Sequence, residues 1–152
     1  MNIVPVSVSA VTQAVEARLR VDPRFKDVTL ARSEEINEIP AACPWVGVYR
    51  ADCQFPTRTL GAGPGYRHQR ISVVLLAQES DPGSGAACED RLNELVNMLV
   101  SSLLSEPTLG GVVHTIDDFS VRYPDYRRVD DDVYMQTAMI LFTAITTVGG
   151  TQ

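Results

Sequence analysis

The strongest constraint in this chain is a single apolar stripe. Cys88, Leu92, Leu95, Val96, Leu99 and Leu103 recur at three- and four-residue spacing from about Gly85 to Ser105. That period puts all six on one side of an α-helix. Met98, Val100 and Leu104 widen the stripe, which predicts a helix covered on more than one side. Glu89 and Asp90 fall in its early turns, where carboxylates interact well with the helix dipole. Pro107 and Gly110-Gly111 follow its end. A helix of this kind needs a second apolar layer to lie on.

The strands that could supply that layer are legible. Ile71 to Ala77 is an almost continuous apolar run, as expected of a central strand buried on both faces. Trp45 to Tyr49 is apolar and bounded by Pro44. Val112 to Ile116 and Phe119 to Tyr123 read as two short strands; in the second, Phe119, Val121 and Tyr123 alternate with Ser120 and Arg122. Val133 to Val148 is rich in β-branched and aromatic residues and predicts one long or bent strand, with a helix the weaker alternative because its threonines and valines favour strand. Near the N-terminus, Val8, Val11, Val15 and Leu19 define a second amphipathic helix, with Ser7 or Ser9 as its cap and Asp22-Pro23 as its stop. The expected fold class is α+β: a mixed, mostly antiparallel sheet flanked by an N-terminal helix and one long central helix. At 152 residues, 45% hydrophobic and 21% charged, the chain fits a single domain with a real core. Two connections stand out. Residues 54–69 form a Gly/Pro-rich arm carrying Arg58, Arg67 and His68, and Pro124 to Asp132 reads as a charged loop.

Composition narrows the function. The net charge of -6 argues against sequence-independent nucleic-acid binding, which needs cations opposite phosphates. Lys26 is the sole lysine, so positive charge is almost all arginine, the cation favoured at protein interfaces. Three cysteines without a CxxC pair fit a reducing compartment rather than a disulfide scaffold. No basic n-region with a long apolar stretch opens the chain, and no run is long enough to span a membrane. The expectation is synthesis in the cytoplasm without a membrane partner.

Chemistry-bearing patterns are weak. Gly61-Ala62-Gly63-Pro64-Gly65 is a poor phosphate cradle: Pro64 lacks an amide, no lysine follows, and a strand rather than a helix comes next. His68 and His114 are remote from each other, and Asp130-Asp131-Asp132 would alternate faces in a strand, so no metal site is expected. No GxSxG elbow exists. The expectation is therefore no catalytic residue, no metal and no cofactor. Assembly has the better case. Arg127-Arg128 stands against Asp130, Asp131 and Asp132 in one short segment, an arrangement suited to a neighbour with the opposite patch. Arg58, Arg67 and Arg70, on and beside the arm, add a second candidate subunit interface.

The order of elements carries a resemblance. An amphipathic helix leads to Trp45-Val46-Gly47-Val48-Tyr49. The glycine-proline arm follows, then Arg70-Ile71-Ser72-Val73-Val74-Leu75-Leu76-Ala77, the helix with Leu92, Leu95 and Leu99, the segment Pro107 to Val112, and the strand ending Tyr134 to Phe142. This order and texture resembles the tail terminator (tail completion) proteins of long-tailed bacteriophages. The resemblance spans most of the chain and carries no residue-level motif across; the arm at 54–69 is a departure from it. It implies a homo-oligomer, a hexameric ring at the head-proximal end of the virion tail. That ring would cap the tail-tube protein, end tube growth and join the head-tail connector protein, with DNA passing through its channel without specific binding. Alternatives are another connector or neck protein, a small cytosolic enzyme with a cleft beside the sheet, and a ligand-binding or antitoxin-like module.

Overall fold

The apolar stripe at 85–105 folds as a helix that lies, beside the N-terminal helix, on one face of a six-stranded sheet. The computed structural model describes residues 6–32, 43–55, 68–124, 127–130 and 133–147. Helix α1 spans Val8–Val21, strand β1 Thr29–Arg32, β2 Trp45–Gln54, β3 His68–Asp81, helix α2 Gly85–Leu104, β4 Thr115–Arg122, β5 Arg127–Asp130 and β6 Val133–Thr147. The sheet order is β1-β2-β3-β6-β4, with β5 also pairing β6. The β1–β2 pair is parallel and every other pair antiparallel. This is the α+β architecture, mixed and mostly antiparallel, that the patterning predicts.

Local chemistry sets the ends of the helices. Ser84 caps α2 by accepting from the Ala87 amide at 3.2 Å. Upstream, Asp81 at the end of β3 accepts from the amides of Gly83 (3.0 Å) and Ser84 (2.8 Å) and pairs with Arg91 of α2. One carboxylate thus fixes both the strand-to-helix turn and the first turns of the helix. Ser7 occupies the cap position of α1 without making a side-chain cap bond. Asp22 ends α1, caps the short 3-10 turn Pro23–Phe25 and forks with Arg24. Arg18 ties the two helices together, donating to the Ser102 carbonyl (3.1 Å) and the Ser105 hydroxyl (2.7 Å).

The core lies between the helices and the sheet. Val11, Val15 and Leu19 from α1 and Leu92, Leu95, Val96, Leu99 and Leu103 from α2 meet Val46 and Val48, Ile71, Val73, Leu75 and Ala77, and Ala138, Ile140, Phe142 and Ala144. The alternation in β3 is strict: every second residue from Gln69 to Asp81 is buried under the helices, and Arg70, Ser72, Val74, Leu76, Gln78 and Ser80 face the other way. The Ile71–Ala77 run looks uniformly apolar only because Val74 and Leu76 are apolar on that second side too.

Four expectations need correction. The two short strands predicted at 112–116 and 119–123 are one strand, β4. Val112 to His114 belong to the turn before it, and a bulge between Asp117 and Ser120, with Asp118 at φ 58°, accounts for the apparent break. The charged loop predicted at 124–132 contains strand β5, which pairs Arg127 with Met135, Arg128 with Tyr134 and Asp130 with Val133. Strand β1 was not expected; four residues paired in parallel on an edge leave too short a period to read. The arm is also shorter than 54–69, because β2 runs through Gln54 and β3 starts at His68. Those two strands are antiparallel neighbours, with Gln54 opposite Arg70, so the arm grows from a hairpin.

Candidate functional site

Sequence-predicted interface residues fall in two places. Arg70 is exposed at the start of β3, opposite Ile145 of β6. Arg127 sits opposite Met135 of the same strand, with Arg128 and Asp130 beside it. Ten residues of extended chain separate Ile145 from Met135, about 33 Å. The arm root and the charged hairpin therefore mark opposite ends of the sheet and do not form one site. Arg58, Arg67, Asp131 and Asp132 lie outside the described residues.

Between those ends is the feature that local sequence reading missed. The sheet face turned away from α1 and α2 carries no helix or strand among the described residues. Register aligns its side chains in rows. Tyr49, Val74, Leu141 and Ser120 form one row, and Gly47, Leu76, Met139 and Arg122 the next. Ser72, Thr143 and Asp117 flank the first row, and Gln78 and Thr137 the second. Val74, Leu76, Met139, Leu141, Thr143 and Ile145 are all half-buried. The result is an apolar band with a Ser/Thr/Gln margin. It was hidden in the sequence because alternation shows that a strand has two faces but not which one is covered.

One side of this face is shaped by aromatics. A Cβ at Gly47 would sit 2.5 Å from the Tyr49 hydroxyl and 2.7 Å from the Trp45 ring. Only glycine lets both rings close over the strand. Their centroids are 6.5 Å apart, and together with Ala31 they form a small second cluster against Val74 and Leu76. Towards β4 the band meets charge instead: Arg122 is exposed on it, as is Arg70 at the far end, and Asp117 shares the face. Neither arginine forms an ion pair among the described residues.

The opposite surface of the molecule is the outward side of α2. Glu89, Asp90, Asn93, Glu94, Asn97, Ser101 and Leu104 are exposed there. Arg91 is taken up by Asp81, which leaves Glu89, Asp90 and Glu94 as an acidic group. The sheet side turned away from the helices is thus apolar with arginines and Asp117 at its margin, whereas the outward side of α2 is polar and acidic.

Sheet edges offer less. Beyond its pairing with β1, strand β2 has a bulge between Arg50 and Cys53 with exposed Arg50 and Asp52. Strand β4 has its bulge at Asp117-Asp118. Charges and bulges on edge strands oppose edge-to-edge pairing.

Glu79 and Cys88 are buried between α2 and the sheet. Burial raises the Glu79 carboxyl above its ordinary range, only partly offset by Arg91. Burial also pushes the Cys43 and Cys88 thiols up, and Cys88 donates to the Glu79 carbonyl at 3.2 Å. A thiol held protonated is a poor nucleophile. The amides of Gly83 and Ser84 hold Asp81 down. His68 and His114, remote in sequence, reach the same end of the sheet: His68 pairs with Thr147, and the His114 amide donates to the Ile145 carbonyl. Among the described residues no group of three or more His, Cys, Asp or Glu is placed to hold a metal, and no helix is long and apolar enough to cross a membrane. No protein-family model matches the chain, and no curated protein matches it in sequence.

Proposed function

We propose that this protein is a structural virion component of the tail-terminator kind, which assembles into a ring on the last ring of tail-tube subunits. The ring ends tube growth and offers a surface to the head-tail connector. The observation that carries this reading is a two-layer fold whose apolar sheet side, turned away from the helices, is unlike the acidic outward side of α2, while strands β2 and β4 are blunted by bulges and charge. Unlike surfaces suit a heterologous contact, the kind that closes like subunits into rings. The order α1, β2, arm, β3, α2, β6, on which the resemblance rests, is also the order in the fold.

In this reading the ring is hexameric and works without catalysis or cofactor. The acidic balance keeps DNA from adhering as it passes the channel, because phosphate is repelled by net negative charge. The protein is made in the host cytoplasm and ends in the virion, at the head-proximal end of the tail. The test is polymerisation of the cognate tail-tube protein with and without this chain, followed by electron microscopy. Tubes that stop growing and carry an added ring at one end support the proposal; tubes of unchanged length with bare ends refute it. Charge reversal at Arg127 and Arg128 is expected to leave the fold intact and to block ring formation or head joining. Normal assembly by that variant would remove the β5–β6 hairpin from the interface.

A further inference from the structure

We infer that Glu16 and Arg20 of helix α1 form a clasp over the outer edge of strand β1, so that strand addition there by a second copy of the chain is disfavoured. This is a contact that the subunit avoids, and the clasp acts whether or not a ring forms.

An outermost strand presents backbone N–H and C=O groups in the geometry that another strand would pair with. Strand β1 is outermost in the sheet order. Its alternate residues turn their backbone groups to opposite sides. The Thr29 amide donates to the Pro44 carbonyl at 3.0 Å, in register with the Thr29–Trp45 pair. Thr29 and Ala31 therefore turn their backbone groups towards β2, and the Leu30 carbonyl points outward.

The other stretches at the sheet margins meet this problem with irregularity. Register shifts between Arg50 and Cys53 where β2 runs past β1, between Asp117 and Ser120 in β4, and between Arg128 and Asp130 in β5. Bulges twist an edge away from further pairing. Strand β1 pairs through four consecutive positions without a shift. It is on this regular edge that side chains of α1 land. Arg20 Nε donates to Glu16 Oε1, one helical turn earlier, at 3.2 Å. Arg20 Nη2 donates to the Leu30 carbonyl at 3.2 Å. The second oxygen of Glu16 lies 3.4 Å from Arg32 Nε. One carboxylate thus anchors the guanidinium that occupies the outward carbonyl, and is itself tied to the end of β1. Arginine suits this position because its Nε and Nη2 serve two acceptors at once, whereas lysine carries a single nitrogen. An incoming strand would have to displace Arg20 from the carbonyl before pairing with it.

The test uses the full chain with Arg20→Ala. The Arg20 side chain is 53% exposed and alanine is the best helix former, so an unchanged circular dichroism spectrum is expected. Analytical ultracentrifugation over a range of concentrations is combined with hydrogen exchange at the Leu30 amide. Self-association is expected to strengthen about two- to fivefold over the wild-type chain, the range that loss of one exposed charged contact allows. Exchange at Leu30 is expected to slow as the concentration of the variant rises. Unchanged self-association would overturn the inference. Stronger association that leaves Leu30 exchange independent of concentration would also overturn it, because the new contact would then lie elsewhere. Glu16→Ala, which leaves Arg20 without its anchor, is expected to give a smaller increase with the same slowing at Leu30; full wild-type behaviour would overturn the part assigned to Glu16. Each variant is compared with the wild-type chain, so these results read the same whether that chain is a ring or a monomer.

Discussion

Single side chains in this protein replace structure that backbone would otherwise provide. Gln69, fully buried near the start of β3, accepts from the Val6 amide at 2.8 Å and donates to the Val6 carbonyl at 2.9 Å. Its amide acts like one more pairing residue of a strand and fixes the approach to α1. Gln69→Ala leaves both backbone groups without that partner and is expected to cost about 1–3 kcal/mol, with faster hydrogen exchange at the Val6 amide. Unchanged exchange would show that the contact does not hold the segment. Glu79 acts in the opposite sense. Its folded pKa is raised above 4.5, so the folded state keeps a proton that the unfolded chain has released. The stability that the protonated form contributes is full below about pH 4.5 and is lost as pH rises through the folded pKa. Glu79→Gln is therefore expected to raise the midpoint of urea unfolding at neutral pH and to change it little in acid. Asp81 has the reverse sign: its folded pKa is lowered from 3.8, so its contribution holds above about pH 4 and fades as pH falls through the folded value. The roles of Gln69 and Glu79 are not written in local sequence, because each depends on which face of β3 the helices cover, whereas Asp81-Pro82-Gly83-Ser84 is a local turn pattern.

At the scale of elements, what could be read depended on length and period. Helix α2 and strand β6 declare themselves through many repeats of one pattern, and both fold close to the expected ranges. Where the pattern is interrupted, the reading split or lost elements. The bulge at Asp117-Asp118 shifts the alternation of β4 by its extra residues, so Ile116 and Val121 both reach the core but out of phase. Strand β5 has charged residues at three of its four positions and, among the described residues, pairs with β6 alone, so it resembles a loop. Packing of α2 dominates the core. Leu99→Ala, at a fully buried position facing the sheet, is expected to cost about 2–5 kcal/mol, seen as a lower midpoint in denaturant; a loss below about 1 kcal/mol would mean the helix carries less of the fold than its burial implies. Gly47→Ala is expected to displace the Trp45 and Tyr49 rings and change the near-ultraviolet circular dichroism, with loss of thermal stability. An unaltered spectrum would contradict the close approach over Gly47.

For the whole molecule, the apolar character of both sides of the sheet is the fact with functional weight. The charged segments that sequence picked out, Arg70 beside the arm and Arg127 to Asp130 in the hairpin, lie at opposite ends of the sheet, with an apolar band between them. Charge is visible in a sequence because it is local; the band of Val74, Leu76, Met139 and Leu141 draws on two strands more than sixty residues apart and exists only through their register. The proposed function depends on assembly. Native mass spectrometry of the intact chain, alone and with the cognate tail-tube subunit, is its most direct test. A ring of several copies, six in the proposed case, formed alone or on the tube subunit, is the predicted result, and a lone subunit in both samples would contradict it.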